Sequence, residues 1–203
     1  MEISRDPRDV AFWQERYERG TPPWDAGVPA PPLVRAVEER VFPERARVLV
    51  PGCGYGHEAL FLARRGFEVV AVDFAPGAVA QLKEHMGELP ITVLERDIFL
   101  LERDFAQYFD LVVEHTCFCA IPLNRRGEYA QLMSAVLKKR GALLGLFWEL
   151  EDEDGPPYRT TSADIDCHFL PFFEISSIEC PADSLSRGVG QEWLVFMEKR
   201  VIV

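Results

Sequence analysis

The apolar positions change period along the chain, and the changes mark out its elements. Between Asp9 and Gly20, Val10, Trp13 and Tyr17 fall on one helical face, with Asp9 placed to cap the first turn and Gly20 to stop the last. A loop through Pro22, Pro23, Gly27 and Pro29 follows. Pro31-Pro32 then opens a second helix, whose Leu33, Val34, Val37 and Val41 keep the 3.6-residue period. Beyond this helical arm, short apolar runs alternate with helical ones. Residues 46–50, 67–72, 91–94, 111–113 and 142–148 predict five strands. The helices predicted between them cover 57–65, 76–86 and a long segment capped by Asn124. That segment buries Tyr129, Leu132, Met133, Val136 and Leu137, and it ends on Lys138, Lys139, Arg140 and Gly141. A last helix over 162–170 precedes strands over 172–178 and 192–198, with no helix-length segment between them, so these two should pair antiparallel. The predicted fold is α/β, a doubly wound, mostly parallel, seven-stranded sheet with a C-terminal antiparallel hairpin. One domain is expected over 1–203, with the arm at 1–40 and the core at 41–203.

Composition narrows the partners. With 48% apolar residues in 203, the chain can build a full core. No run reaches the roughly 18 apolar residues that a membrane helix needs. Lys plus Arg number 22 against 33 Asp plus Glu, a net charge of −11, the wrong sign for a phosphate backbone or an anionic membrane. The expected partner is a small molecule, for a monomer or weak homodimer. An acidic start without an apolar stretch, and an odd count of five cysteines, predict reduced thiols in the cytoplasm.

The first predicted strand runs into Pro51-Gly52-Cys53-Gly54-Tyr55-Gly56-His57-Glu58, which opens a helix. Such glycines allow a tight turn and close approach of a ligand to a helix N-terminus. Asp73 ends the second strand about 20 residues on, where a carboxylate suits the two hydroxyls of a ribose. The blander alternative is a tight turn with Asp73 capping the next helix. The spacing Gly-x-Gly-x-Gly is not the dinucleotide fingerprint, and no Walker lysine follows, so a nucleoside without phosphates fits better. His115, Cys117 and Cys119 lack the second ligand pair of a zinc site, and no metal is expected. His-Glu-x-x-His and Gly-x-Ser-x-Gly are absent. The acidic run 149–154 reads as a solvated loop.

Four stretches in order carry a family resemblance: Phe12-Trp13-Gln14-Glu15-Arg16-Tyr17 with Pro23-Trp24-Asp25; the glycine turn; Phe118-Cys119-Ala120-Ile121; and Gly155-Pro156-Pro157-Tyr158. In these the chain resembles class I S-adenosylmethionine-dependent methyltransferases, in particular the thiopurine methyltransferase-like group that includes plant halide/thiol methyltransferases. The resemblance implies S-adenosylmethionine as cofactor, with Gly52 and Gly54 at its methionine part, Asp73 at its ribose, and Asp97 and Ile98 at its adenine. It implies that Trp13, Tyr17 and Trp24 form an N-terminal helical lid. It also implies that the side chain two residues after the fourth predicted strand, here His115, faces cofactor or substrate. Family members commonly carry Tyr or Arg there. Trp24, Phe118 and Tyr158 would enclose a substrate pocket. Aromatic faces attract a sulfonium by about 0.5–2 kcal/mol each; alternatively Trp13 and Tyr17 only fasten the arm, and Asp97 only caps a helix. The expected acceptor is a thiol, a thiopurine or a halide; a thiolate or halide needs little or no base, so no catalytic residue is assigned beyond His115, a candidate to take the proton of a neutral thiol. The competing readings are an NAD(P)-dependent Rossmann oxidoreductase and a non-catalytic S-adenosylmethionine-binding module.

Overall fold

Strands buried on both faces belong at the centre of a sheet, and burial orders the strands here. The computed structural model describes residues 6–20, 22–150, 155–185, 188 and 190–201, so 151–154 of the acidic run lie outside it. The strands are β1 (Arg47–Pro51), β2 (Glu68–Asp73), β3 (Ile91–Glu95), β4 (Phe109–His115), β5 (Leu137–Trp148), β6 (Phe173–Glu179) and β7 (Glu192–Lys199). They form one seven-stranded sheet in the order β3-β2-β1-β4-β5-β7-β6. β1 to β5 pair in parallel, while β7 runs antiparallel to both β5 and β6. The strand order reverses between β1 and β4, and in such sheets a crevice opens at the carboxyl ends of the strands on either side.

Helices α1 (Val10–Glu18), α2 (Pro31–Glu38), α3 (His57–Arg64), α4 (Pro76–His85), α5 (Glu102–Phe105), α6 (Arg126–Val136) and α7 (Ser162–Phe169) cover the sheet. Alternate strand residues point to opposite faces, which divides the core. Leu49, Val70 and Val112 pack with Tyr129 and Met133 of α6 and Phe169 of α7. Val48, Val69 and Leu111 pack with Leu33 and Val37 of α2, Leu62 of α3 and Leu82 of α4. Thus α2, counted with the arm by its place in the sequence, contributes to the core. Val41 lies past the end of α2 and is exposed. In α1, Asp9 caps the first turn by accepting from the Ala11 N–H, and Phe12 is buried. Gln14 accepts from the Gly77 N–H at 2.8 Å, docking α1 on α4.

Both ends of the long helix α6 differ from expectation. Asn124 lies in a short 3-10 turn, Leu123–Arg125, and does not cap α6. At the other end, Lys138, Lys139 and Arg140 are strand, because β5 begins at Leu137 directly after α6. No glycine stop is needed there. The Gln107 and Tyr108 N–H groups donate to the Ala135 and Val136 carbonyls, and Lys138 pairs with Asp110 at 2.7 Å.

Candidate active site

The crevice is real. A cleft at the carboxyl ends of β1 to β4 is lined by Gly52, Gly54, Asp73, Asp97, Ile98 and His115, and by Trp13, Tyr17 and Trp24 from the arm. Nine residues scattered over the chain are therefore brought together.

Gly52 and Gly54 both adopt left-handed backbone, at φ 56° and 52°, which lets the turn pass under the cleft without side chains. Asp73, nearly fully buried, ties this turn to β2. One carboxylate oxygen accepts from the Gly54 N–H at 3.0 Å and the other from the Ala75 N–H at 2.9 Å. Burial raises its pKa, and these N–H groups oppose the rise. The N-cap position of α4 is Ala75, so Asp73 is not simply a cap. The N–H groups of Gly54, Ala75 and Phe74 do not fill the four acceptor sites of this carboxylate, which lines the cleft. Asp97 has two features: it caps the 3-10 turn Ile98–Leu100 through the Phe99 N–H, and it lines the cleft.

The arm residues form an aromatic cluster. Trp24 meets Trp13 and Tyr17 edge-on, at ring distances of 5.5 and 5.7 Å, and Tyr17 meets Tyr55 at 5.3 Å. Tyr55 donates to the Gly20 carbonyl, and His57 meets Asp25 at 2.7 Å, so the glycine turn holds the arm's loop from below. Neither tie was foreseen, although both Tyr55 and His57 stand in the glycine motif.

The other end of the cleft carries carboxylates that had no predicted role. β4 extends two residues beyond expectation, so His115 is its last residue. Its Nδ1 lies 2.8 Å from Glu58 of α3, which also accepts from the Ala30 N–H. Burial alone would raise the Glu58 carboxyl, but the His115 charge and hydrogen bond hold it at about 2. Glu114 is fully buried, and burial pushes it up to about 7 even though one oxygen accepts from the Cys117 and Phe118 N–H groups at 2.8 Å. Burial also pushes up the thiols of Cys53, Cys117 and Cys119, so none is a ready thiolate.

Two residues expected at the substrate pocket lie elsewhere. Glu114 gathers the N–H groups after β4, and the chain turns as a 3-10 segment, Phe118–Ala120. Cys117 and Cys119 line the cleft, whereas Phe118 is fully buried in the core against Tyr129, Phe147 and Phe169. Tyr158 donates its N–H to the Cys119 carbonyl, and its own carbonyl accepts from Arg126. That anchoring leaves Pro156 and Pro157, not Tyr158, among the cleft residues.

Side-chain-free glycine backbone, a carboxylate with spare acceptor capacity and an aromatic cluster fit a nucleoside that carries a cationic side arm. The family model described as Thiopurine S-methyltransferase (TPMT) matches residues 8–202, and the chain belongs to that family. It is 34% identical to a probable thiol methyltransferase 2 of Arabidopsis thaliana, over 82% of this chain and 75% of that protein. It is 32% identical to thiocyanate methyltransferase 1 of Brassica oleracea, over 90% of this chain and 82% of that one. Among solved structures, the Burkholderia thailandensis 1,6-didemethyltoxoflavin-N1-methyltransferase, with its substrate and S-adenosylhomocysteine bound, shares the fold. Its TM-score is 0.72 at 20% identity, covering all of this chain and 93% of the other. A structure from work on conversion of a disulfide bond into a thioacetal group during echinomycin biosynthesis aligns at TM-score 0.79 and 19% identity, covering 94% and 92%. The protein is an S-adenosylmethionine-dependent methyltransferase with a small-molecule acceptor, and the nicotinamide and non-catalytic readings are not favoured. Among the described residues, no helix is long and apolar enough to cross a membrane.

Proposed function

We propose that the protein methylates small thiols and related soft nucleophiles, thiopurines and halides or pseudohalides included, in the cytoplasm, as one domain and without a nucleic-acid partner. The observation that carries this is the wall beyond the glycine turn. It is mostly apolar, with Cys117, Cys119, Ile121, Trp148, Pro156 and Pro157, and Glu58, His115 and Thr116 are the polar side chains beside them. An apolar wall suits a polarizable sulfur or halide that sheds water cheaply, and suits a hydrated carboxylate or a macromolecule poorly. The names of the relatives from Arabidopsis and Brassica point the same way.

In this reading Asp73 accepts from the ribose hydroxyls, Gly52 and Gly54 pass beneath the methionine part, and Asp97 and Ile98 flank the adenine. Trp13, Tyr17 and Trp24 turn aromatic faces toward the sulfonium and exclude water, and Trp24 also borders the acceptor. S-adenosylmethionine supplies an already activated methyl group. The chain's work is therefore alignment of the acceptor for in-line attack, a contribution worth several kcal/mol of barrier, up to about 7–11 in well-oriented intramolecular systems.

The net charge of −11 opposes the approach of anions. Thiols should therefore be methylated with a higher kcat/KM than iodide, and DNA, RNA and histone-like peptides not at all. Incubation with methyl-labelled cofactor and a panel of hydrogen sulfide, aryl thiols, thiopurines, thiocyanate and iodide tests the reading. Label in a macromolecule, with none in any small thiol, thiopurine, thiocyanate or halide, would overturn it.

A further inference from the structure

His115 lines the cleft at the carboxyl end of β4, and carboxylates surround its ring. With Nδ1 committed to Glu58 at 2.8 Å, the ring nitrogen left for a ligand is Nε2, on a side chain that lines the cleft and is 14% exposed. The charged groups facing the ring are Glu58 from α3, Glu114 from its own strand and Glu192 from β7. Glu192 is itself nearly buried, with one oxygen lacking a hydrogen-bond partner among the described residues. Burial favours the neutral ring, but these carboxylates outweigh it and shift the imidazolium to higher pH than an ordinary histidine. Glu58 is fixed in turn by the Ala30 N–H, so it sets both the tautomer and the orientation of the ring.

Building on the proposed acceptor class, we propose that His115 is a catalytic residue that presents Nε2 to the acceptor, with Glu58 as its positioning residue. As imidazole it takes the proton of a neutral thiol; as imidazolium it donates to a thiocyanate or halide that has no proton to lose. For a thiol, the S–H bond breaks as the Nε2–H bond forms, leaving a thiolate beside an imidazolium. A sulfur lone pair then forms the bond to the methyl carbon while the carbon–sulfonium bond breaks, its electron pair staying on the departing sulfur. The Nε2 proton returns to water once the thioether leaves. Both kinds of acceptor thus react as an anion held by the protonated ring.

The consequence is that thiocyanate and a thiol respond differently to alkali. For thiocyanate, kcat/KM should be level at low pH and fall by about tenfold per pH unit above the His115 pKa. For an alkyl thiol it should be bell-shaped, bounded by His115 and by the thiol's own ionisation. In His115→Gln, thiocyanate methylation should drop at least about tenfold and lose its pH dependence, while the thiol profile keeps only the rise that follows thiol ionisation. Glu58→Gln should move the thiocyanate limb to lower pH. A second readout does not depend on turnover or on a variant that folds. Histidine NMR of the wild-type protein with S-adenosylhomocysteine should show the His115 pKa rising when potassium thiocyanate is added. A His115→Gln enzyme that keeps the wild-type rates and pH profiles, or an NMR titration unmoved by thiocyanate, would overturn the role of His115 alone. A wild-type enzyme that methylates neither acceptor would instead overturn the acceptor class on which it rests.

Discussion

Phe118→Ala should remove about 3–5 kcal/mol of folding stability, the usual cost of truncating a buried phenylalanine, and should change the acceptor KM far less. The ring is fully buried among Tyr129, Phe147 and Phe169, with the Arg126 guanidinium 4.5 Å from its centre. Those neighbours come from α6, α7 and β5, elements already locked to the sheet, so the void cannot readily collapse. Against a typical domain stability of about 5–15 kcal/mol the loss is large. Urea unfolding monitored by circular dichroism, beside steady-state kinetics at a temperature where the variant stays folded, separates the two roles. An unfolding midpoint like the wild type's, with a raised acceptor KM, would return Phe118 to the pocket.

Gly52→Ala should be almost as costly, about 2–5 kcal/mol. Left-handed backbone costs a residue with a side chain roughly 1–2 kcal/mol, and overpacking a dense site adds about 1–3. Both apply here. The backbone sits at φ 56°, and a Cβ would lie 2.7 Å from the Cys117 sulfur and 3.0 Å from its Cβ. Cys117 has little freedom to retreat, because it is buried and its N–H is held by Glu114. Adding Cys117→Ala removes the sulfur but not the backbone strain, so the double variant should recover part of the loss. Unfolding measurements on the two single variants and the double variant isolate that coupling. A Gly52→Ala protein as stable as the wild type would mean that the turn can rearrange.

The elements that position the site were legible because each carries its own local signal. The buried strands read as unbroken apolar runs, the glycine turn as backbone that must lack side chains, and Asp73 as a charge at a strand end. What local patterning cannot show is which way a side chain faces in an irregular segment. Phe118 and Tyr158 stand in distinctive motifs, but the Glu114 hydrogen bonds turn one into the core, and backbone bonds to Cys119 and Arg126 anchor the other. Glu58 and Glu114 went unassigned for a related reason. A lone glutamate in a helix's first turn, or inside a strand, acquires meaning only when chain 57 or three residues away folds against it. The start of β5 was misplaced because Lys138-Lys139-Arg140-Gly141 has the composition of a helix end. The tertiary bonds to Gln107, Tyr108 and Asp110 decided otherwise.

The cleft over the glycine turn should hold S-adenosylmethionine, with Asp73 on the ribose. Titration calorimetry of S-adenosylhomocysteine into the wild-type protein and Asp73→Ala tests it most directly. Losing hydrogen bonds to a charged acceptor costs about 1.5–3 kcal/mol, so Kd should rise roughly 10- to 150-fold, while thermal unfolding of the variant stays cooperative. An unchanged Kd in a folded Asp73→Ala protein would contradict the claim and leave Asp73 as a brace between the glycine turn and β2.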